Sequence, residues 1–443
     1  MPSNHSRQIS VCATGDSFIT RRLPSQDDPD FRQLAAIIGQ SECRFTNLET
    51  VIRRDEGFPF AISGGTWASS PPEVLEDLKA FGFNIVNAAT NHALDYAYGG
   101  LEATRRYLRE AGLPCVGVGA TLAEASAPQY LELPGGRVAW VGATFTFQET
   151  WRAGAQRPDG PGRPGVNPLR VKKTFFASRN QIQTLRQVAA RTGINDIHQL
   201  RIKEGFVPPD PKGALRFGDM LFRVGSPARV EAQVIAPDRD RLLGSIHEAR
   251  RQADFVLVSV HCHDMKEADK SLPPDYLVQF AHDCIDGGAH AIVGHGPHVL
   301  RGIEIYRRKP IFYSLGDFIF QPETVTQQPA DFYEKYNLDP SGNIADAFDQ
   351  QTRQGAIGLG VNPDVWRSVV ATWTMTGPGA HSITLRPITL GFGAPRYTCG
   401  WPTLARGKEA RDILQHLAQL SKPLGTTLDF DGDSAQVRVS GRK

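Results

Sequence analysis

The chain has 443 residues, room for two ordinary domains or one enlarged α/β domain. Hydrophobic residues make up 40% and charged residues 22%, as in globular proteins generally, and 49 Lys and Arg against 47 Asp and Glu leave a net charge of +2. That balance argues against a dedicated nucleic-acid binder, and no stretch approaches the roughly 20 apolar residues that a membrane-spanning helix requires.

Met1 to Ser10 is polar and lacks an apolar core, so no signal peptide is expected. Ile9–Ala13 then reads as a buried strand ending in Thr14-Gly15-Asp16-Ser17. Pro72–Phe81 has helical spacing, with Val74, Leu75, Leu78 and Phe81 on one face. A strand over Asn84–Ala88 runs into Thr90-Asn91-His92. Gly99–Ala111 is a further helix, and Cys115–Val118 and Arg137–Phe145 continue the sheet. From 151 to 235 the pattern breaks: Pro158, Pro161, Pro164 and Pro168 interrupt regular structure, and 15 Lys and Arg face 6 Asp and Glu. A helix over Arg179–Arg191 and a strand over Asp219–Val224 are the elements expected there. The segment is read as a basic insertion, a lid or substrate groove.

The α/β alternation resumes with a helix over Asp238–Gln252 and a strand over Asp254–Val260 that delivers His261-Cys262-His263-Asp264. A helix over Pro274–Gly287 and a strand over Ala289–Val293 lead to Gly294-His295-Gly296-Pro297-His298. Strand-like runs at Ile303–Tyr306 and Pro310–Tyr313 precede Ser314-Leu315-Gly316-Asp317. A polar loop follows, then strands near Arg367–Met375 and Ser382–Leu390 and an amphipathic helix over Gly407–Leu420. The expected organisation is a core formed by 1–150 and 236–320, a basic insertion at 151–235, a polar insertion at 321–365, and strands and a helix at 366–443 that complete the core.

Ligands of open α/β sheets bind beyond the carboxyl ends of the strands. The polar strand ends here are Asp16; Asn47 and Glu49; Asn91, His92 and Asp95; His261, His263 and Asp264; and His295 and His298. Imidazole, carboxylate and amide oxygen together suit a divalent ion. The six cysteines (Cys12, Cys43, Cys115, Cys262, Cys284 and Cys399) form no C-x-x-C pair, and Cys262 alternates away from its histidine neighbours. They read as reduced thiols of a cytoplasmic protein, not as zinc ligands.

The series GDS (15–17), FTNLET (45–50), ATNHALDYAYGGLEAT (89–104), SVH (259–261), VGHGPHVLRGIEIY (293–306) and KPIFYSLGDF (309–318) resembles the CapA family, named for poly-γ-glutamate capsule synthesis. The resemblance implies an α/β, calcineurin-like metallophosphoesterase-type layered sandwich with two substantial insertions. It implies a metal set of Glu49, Asn91, His261 and His298, and catalytic roles for Asp16, His92, Asp95 and His295. Three departures stand out: Phe18 where the metallophosphoesterase pattern has His, His261-Cys262-His263-Asp264 in place of HWG, and Asp317 in place of Asn. Phe18 points to one divalent ion, with Ca favoured over Mn, Mg or Zn, and no organic cofactor. His263, Asp264 and Asp317 become additional acid/base groups or supports of the site. Extra His and Asp beside a reduced metal site suit proton transfer. Within the family the chain resembles the CapA-like epimerase of lasso-peptide precursors, which implies inversion of a C-terminal residue, tryptophan in that case, by two-base His/Asp chemistry. The expected partner is a peptide precursor, with neither nucleic acid nor membrane. The alternatives are a metal-dependent hydrolase of phosphoesters or of poly-γ-glutamate-type amides, and a non-catalytic accessory of capsule assembly.

Overall fold

A computed structural model of the chain describes residues 7–23, 25–377 and 379–439. In its first strand, β1 (Gln8–Phe18), Ile9, Val11 and Ala13 enter one apolar cluster while Cys12 enters another, the period-2 alternation of a strand buried on both faces. In chain order there follow β2 (Cys43–Leu48), β3 (Ile85–Asn87), β4 (Cys115–Val116), β5 (Gln129–Leu133), β6 (Gly136–Thr144), β7 (Phe255–His261), β8 (Ala291–His295), β9 (Leu300–Tyr306), β10 (Lys309–Leu315), β11 (Asp317–Phe320), β12 (Arg367–Thr376), β13 (Gly379–Thr389), β14 (Leu428–Asp431) and β15 (Ser434–Val437).

Two sheets result. The first runs β14-β15-β13-β12-β1-β2-β3-β4, with β11 beside β1; the second runs β9-β10-β8-β7-β6-β5. Their centres are parallel (β1 with β2, β2 with β3; β6 with β7, β7 with β8), so the strand ends with polar residues all point the same way within each sheet. Val11, Ala13, Phe45 and Ile85 of the first sheet pack against Trp140, Leu257, Val293 and Phe312 of the second. At the centre Phe45 stacks on Trp140 with ring centroids 4.3 Å apart, worth roughly 0.5–1.5 kcal/mol beyond burial alone. Helices α1 (Pro29–Gly39), α2 (Val74–Ala80) and α3 (Ala97–Glu110) cover the outer face of the first sheet through Leu34, Ile38, Leu78 and Leu108. This is the layered α/β sandwich expected. No helix among the described residues is long and apolar enough to cross a membrane.

The structure adds α1, which periodicity alone does not announce. Its signal is at the start: Asp28 accepts the N–H groups of Asp30 and Phe31, and Pro29 opens the first turn.

The basic insertion has other limits than 151–235. Contacts divide the chain into one unit up to Pro168 and from Asp240 onward, and a second of Leu169–Arg239. Residues before 169 belong to the first unit because Trp151 and Val166 are buried with Leu94 and Leu101, and Gly165–Val166 pairs with Val118–Gly119. The second unit is a four-stranded sheet of Val171–Ala177, Leu215–Phe217, Met220–Val224 and Arg229–Val234, with helices Arg179–Thr192 and Asp196–Lys203. Arg170 closes its two ends with a fork onto Asp238, at 2.8 and 2.9 Å.

The segment 321–365 is also not a bare polar loop. It forms helices Ala330–Tyr336 and Ile344–Gln351, whose Phe332 and Phe348 are buried with Val51, Trp67 and Tyr96.

Candidate metal and acid–base site

Strand register builds the site. In the first sheet Asp317 of β11 pairs with Asp16 of β1, Asp16 with Asn47 of β2, and Asn47 with Asn87 of β3, giving one polar row across four strands. In the second, His261 of β7 pairs with His295 of β8. Gly15 and Gly316 precede the two aspartates and let their strands approach: Asp16 N–H donates to Gly316 O at 3.0 Å.

Side-chain bonds then set the donors. Asn87 donates to Asn47 at 2.7 Å and Asn47 to Asp16 Oδ1 at 2.5 Å, while Gly296 N–H donates to Asp16 Oδ2 at 2.8 Å. His295 Nε2 lies 2.7 Å from Ser259 Oγ, so its other nitrogen faces inward, 2.9 Å from His261 Nδ1. His261 Nε2 is 2.7 Å from Asn91 Oδ1 and 2.9 Å from His263 Nε2.

The arrangement fits a divalent cation on two observations. Both carboxylate oxygens of Glu49 are buried with no hydrogen-bond partner, although His261, His263 and His298 ring nitrogens lie 3.5, 3.6 and 3.9 Å from Oε1. Among the described residues, three donor sets each fall within 4.8 Å: Asp16, His261 and His295; Glu49, His263 and His298; and Asp16, Glu49, His298 and Asp317. The electrostatics agree. Burial, then the charge of Asp317, pushes Asp16 up to about 7; burial with Asp16, Asp317 and Asp95 holds Glu49 well above the carboxylate range. Burial also raises Asp317 and lowers His295 to about 3, while His261 and His263 are driven well down by burial and by neighbouring imidazoles. Close carboxylates and inward-facing ring nitrogens repel without a cation and are satisfied by one.

Two histidines face a cavity of about 750 Å³ with an aspartate behind each. His92 Nδ1 lies 2.7 Å from Asp95 Oδ2, and Asp95 is itself fixed by the N–H groups of Gly64 and Ala68 at 2.9 and 2.8 Å. His298 Nδ1 lies 2.9 Å from Asp317 Oδ1. Burial acts against protonation of His298, yet the charge and hydrogen bond of Asp317 hold it above the ordinary histidine value. His298 also has φ 61°, in the left-handed region that residues other than glycine adopt uncommonly.

The cluster brings together Asp16, Glu49, Asn91, His261, His263, His295, His298 and Asp317, with the His92–Asp95 pair on the wall of the cavity. Three expectations change. Asp16 and His295, paired as catalytic groups from the sequence, are 3.6 Å apart but fully buried and off the cavity wall; the second carboxylate-backed histidine on that wall is His298. Asp264 points elsewhere: the chain turns after β7, and its carboxylate accepts the Tyr276 hydroxyl at 2.6 Å. Phe18 packs edge-on against His92 at 5.1 Å, and in the pairing register the carboxylate of Asp317 lies beside Asp16, so the aspartate that departs from the family pattern adds a donor to this site. Asn87 and Ser259 were missed. Each is a polar residue inside an apolar strand run, which is the signal that could have found them. Cys262 turns away as expected, its sulfur 3.9 Å from Tyr276 Oη.

The sequence profile described as "Bacterial capsule synthesis protein PGA_cap" matches residues 10–322. The chain belongs to this CapA-like family. Its fold is accordingly the metallophosphoesterase-type α/β sandwich. Over 447 residues it is 34% identical to the uncharacterized protein y4sH of Sinorhizobium fredii, covering 97% of this chain and 93% of the relative. It is 26% identical over 358 residues to the capsule biosynthesis protein CapA of Bacillus anthracis, 79% of this chain and 69% of that protein. A probable polyglutamine synthesis accessory protein of Mycobacterium tuberculosis is 28% identical over 277 residues, covering 62% of this chain and 54% of the relative.

Proposed function

We propose that this CapA-like chain is a cytoplasmic, divalent-metal-dependent enzyme that inverts the Cα of a terminal residue of a peptide by two-base proton transfer. One observation carries the reading: two aspartate-backed histidines, His92–Asp95 and His298–Asp317, line the same cavity. A carboxylate on Nδ1 fixes the tautomer and leaves Nε2 for the proton. His92 removes the Cα proton, the electron pair moves into the adjacent carbonyl, and His298 returns a proton to the opposite face. Exchange with water then resets both rings. Asp16, His261 and His295 would hold a cation, with Asn91 on the other nitrogen of His261, and a divalent ion there would stabilise developing negative charge. Imidazole-rich donors favour Mn, Fe or Zn over the Ca expected from the sequence.

A second reading has its own observation. Glu49, unpartnered between two donor sets, is the carboxylate that two adjacent cations would share, which suits hydrolysis of an amide or phosphoester. The names of the bacillary and mycobacterial relatives point to capsule biosynthesis and to an accessory role in polyglutamine synthesis.

Incubating the metal-loaded protein with a candidate peptide in deuterated water separates the three. Epimerisation adds one deuterium at Cα without other mass change, and His92→Asn and His298→Asn each lower exchange by roughly 10²–10⁴-fold. A shortened product or released phosphate sinks this reading for the hydrolase. Binding without turnover leaves the accessory role.

A further inference from the structure

The wall of the cavity carries ionisable groups that the proposed reaction does not use. Arg396 is bound by Glu323, at 3.0 Å, and by Asp349, so its charge is already met by two carboxylates. Lys270 is different. Its ammonium group lines the cavity with no hydrogen-bond or ion-pair partner among the described residues.

The backbone under Lys270 is held by a buried device. Arg301, fully buried on β9, donates Nε to the carbonyl of Lys270 at 2.8 Å, Nη1 to that of Cys262 at 3.2 Å and Nη2 to that of Asp264 at 2.6 Å. The loop closes further on itself, with Asp269 accepting both the N–H and the hydroxyl of Ser271. A guanidinium withdrawn from water to bind three carbonyls of one loop fixes where that loop, and so Lys270, stands relative to His263. The same cavity is lined by Phe320, Phe348, Leu359, Val361 and Trp366 and by the polar Gln321, Thr324, Gln351 and Thr352.

We infer that Lys270 anchors a single anionic group of the substrate, a carboxylate or phosphate, whose neighbouring body is apolar. A half-buried ammonium with no hydrogen-bond or ion-pair partner gains from an incoming oxyanion, and a polyanion would meet the carboxylates of Glu323 and Asp349 and apolar side chains beyond it. Burial and the charge of Arg301 lower the pKa of Lys270 more than the charge of Asp317 raises it, and an anion in direct contact would raise it further. The inference rests on the cavity being the substrate site and specifies what enters it.

The test is calorimetric titration of metal-loaded protein with 4-phenylbutyrate, phenyl phosphate and the neutral 4-phenylbutyramide. K270Q is expected to weaken the anions by about tenfold or more while leaving the amide unchanged, and K270R to keep most of the affinity. Metal content and melting temperature of each variant show that the site below is intact; K270M serves should K270Q fail to fold. Tighter binding of the carboxylate assigns a carboxylate substrate, and tighter binding of phenyl phosphate a phosphate. Equal affinity of wild type and variants, or no anion binding by wild type, overturns the anchor. Should Lys270-dependent binding hold while no deuterium enters a peptide, the reaction is wrong and the anchor stands; the opposite pair of results removes only the anchor.

Discussion

At the scale of single residues, the informative position is Asp317. In the family pattern an asparagine stands there, and an amide could still accept from His298 Nδ1 but would bring no charge. The carboxylate is what holds His298 above its ordinary pKa and completes a second His–Asp pair on the cavity wall. Asp317→Asn is therefore expected to slow proton exchange about 10–100-fold, as loss of a supporting carboxylate does elsewhere, while one equivalent of metal stays bound. Solvent-deuterium incorporation and elemental analysis of the same preparation check both halves. Loss of all metal would move Asp317 from proton transfer to metal binding.

Elements explain why some of this was legible in the sequence and some not. The strand ends stand out because each apolar run stops at Asp, Asn or His. Neighbouring strands do not: Asp16 and Asp317 are 301 positions apart, and alternation tells which face a residue takes, not which strand lies beside it. Hence the sequence shows that Phe18 brings no donor but not that Asp317 lies across the ladder from Asp16. Asp264 misled for the opposite reason, since sequence adjacency to His263 does not survive a turn at the strand end. The same geometry makes a prediction about β1 and β11. A Cβ at Gly15 would fall 1.7 Å from the carbonyl oxygen of Gly316, backbone that cannot yield without opening the ladder. Gly15→Ala should cost about 4 kcal/mol or more, the severe end for one substitution, and lose metal together with stability. Thermal melts with and without metal measure this; a folded variant that binds metal normally would show that β11 can shift.

For the whole molecule, the buried charges couple metal content to stability and pH. Asp16, Glu49 and Asp317 have folded pKa values raised above their unfolded ones, so the metal-free protein holds extra protons there and loses stability as pH rises towards and through about 7. His261, His263 and His295 are depressed, which acts in the opposite direction, but their contribution is complete once pH exceeds their unfolded value of about 6.5. Above that pH the carboxylates are left together with His298, whose raised pKa acts in the same direction as theirs. Ionised carboxylates and neutral imidazoles are also the forms that bind metal, so affinity and the stabilisation it brings both grow in the same window. A cation at 100 times its Kd adds about 2.7 kcal/mol by mass action alone. The melting temperature of chelator-treated protein is therefore expected to fall between pH 6 and 8 while that of the Mn- or Zn-loaded protein holds, so the gap widens with pH. A gap that stays constant over that range would mean the carboxylates do not bind the ion, and the cluster would then be a network of hydrogen-bonded acids around a purely histidine site.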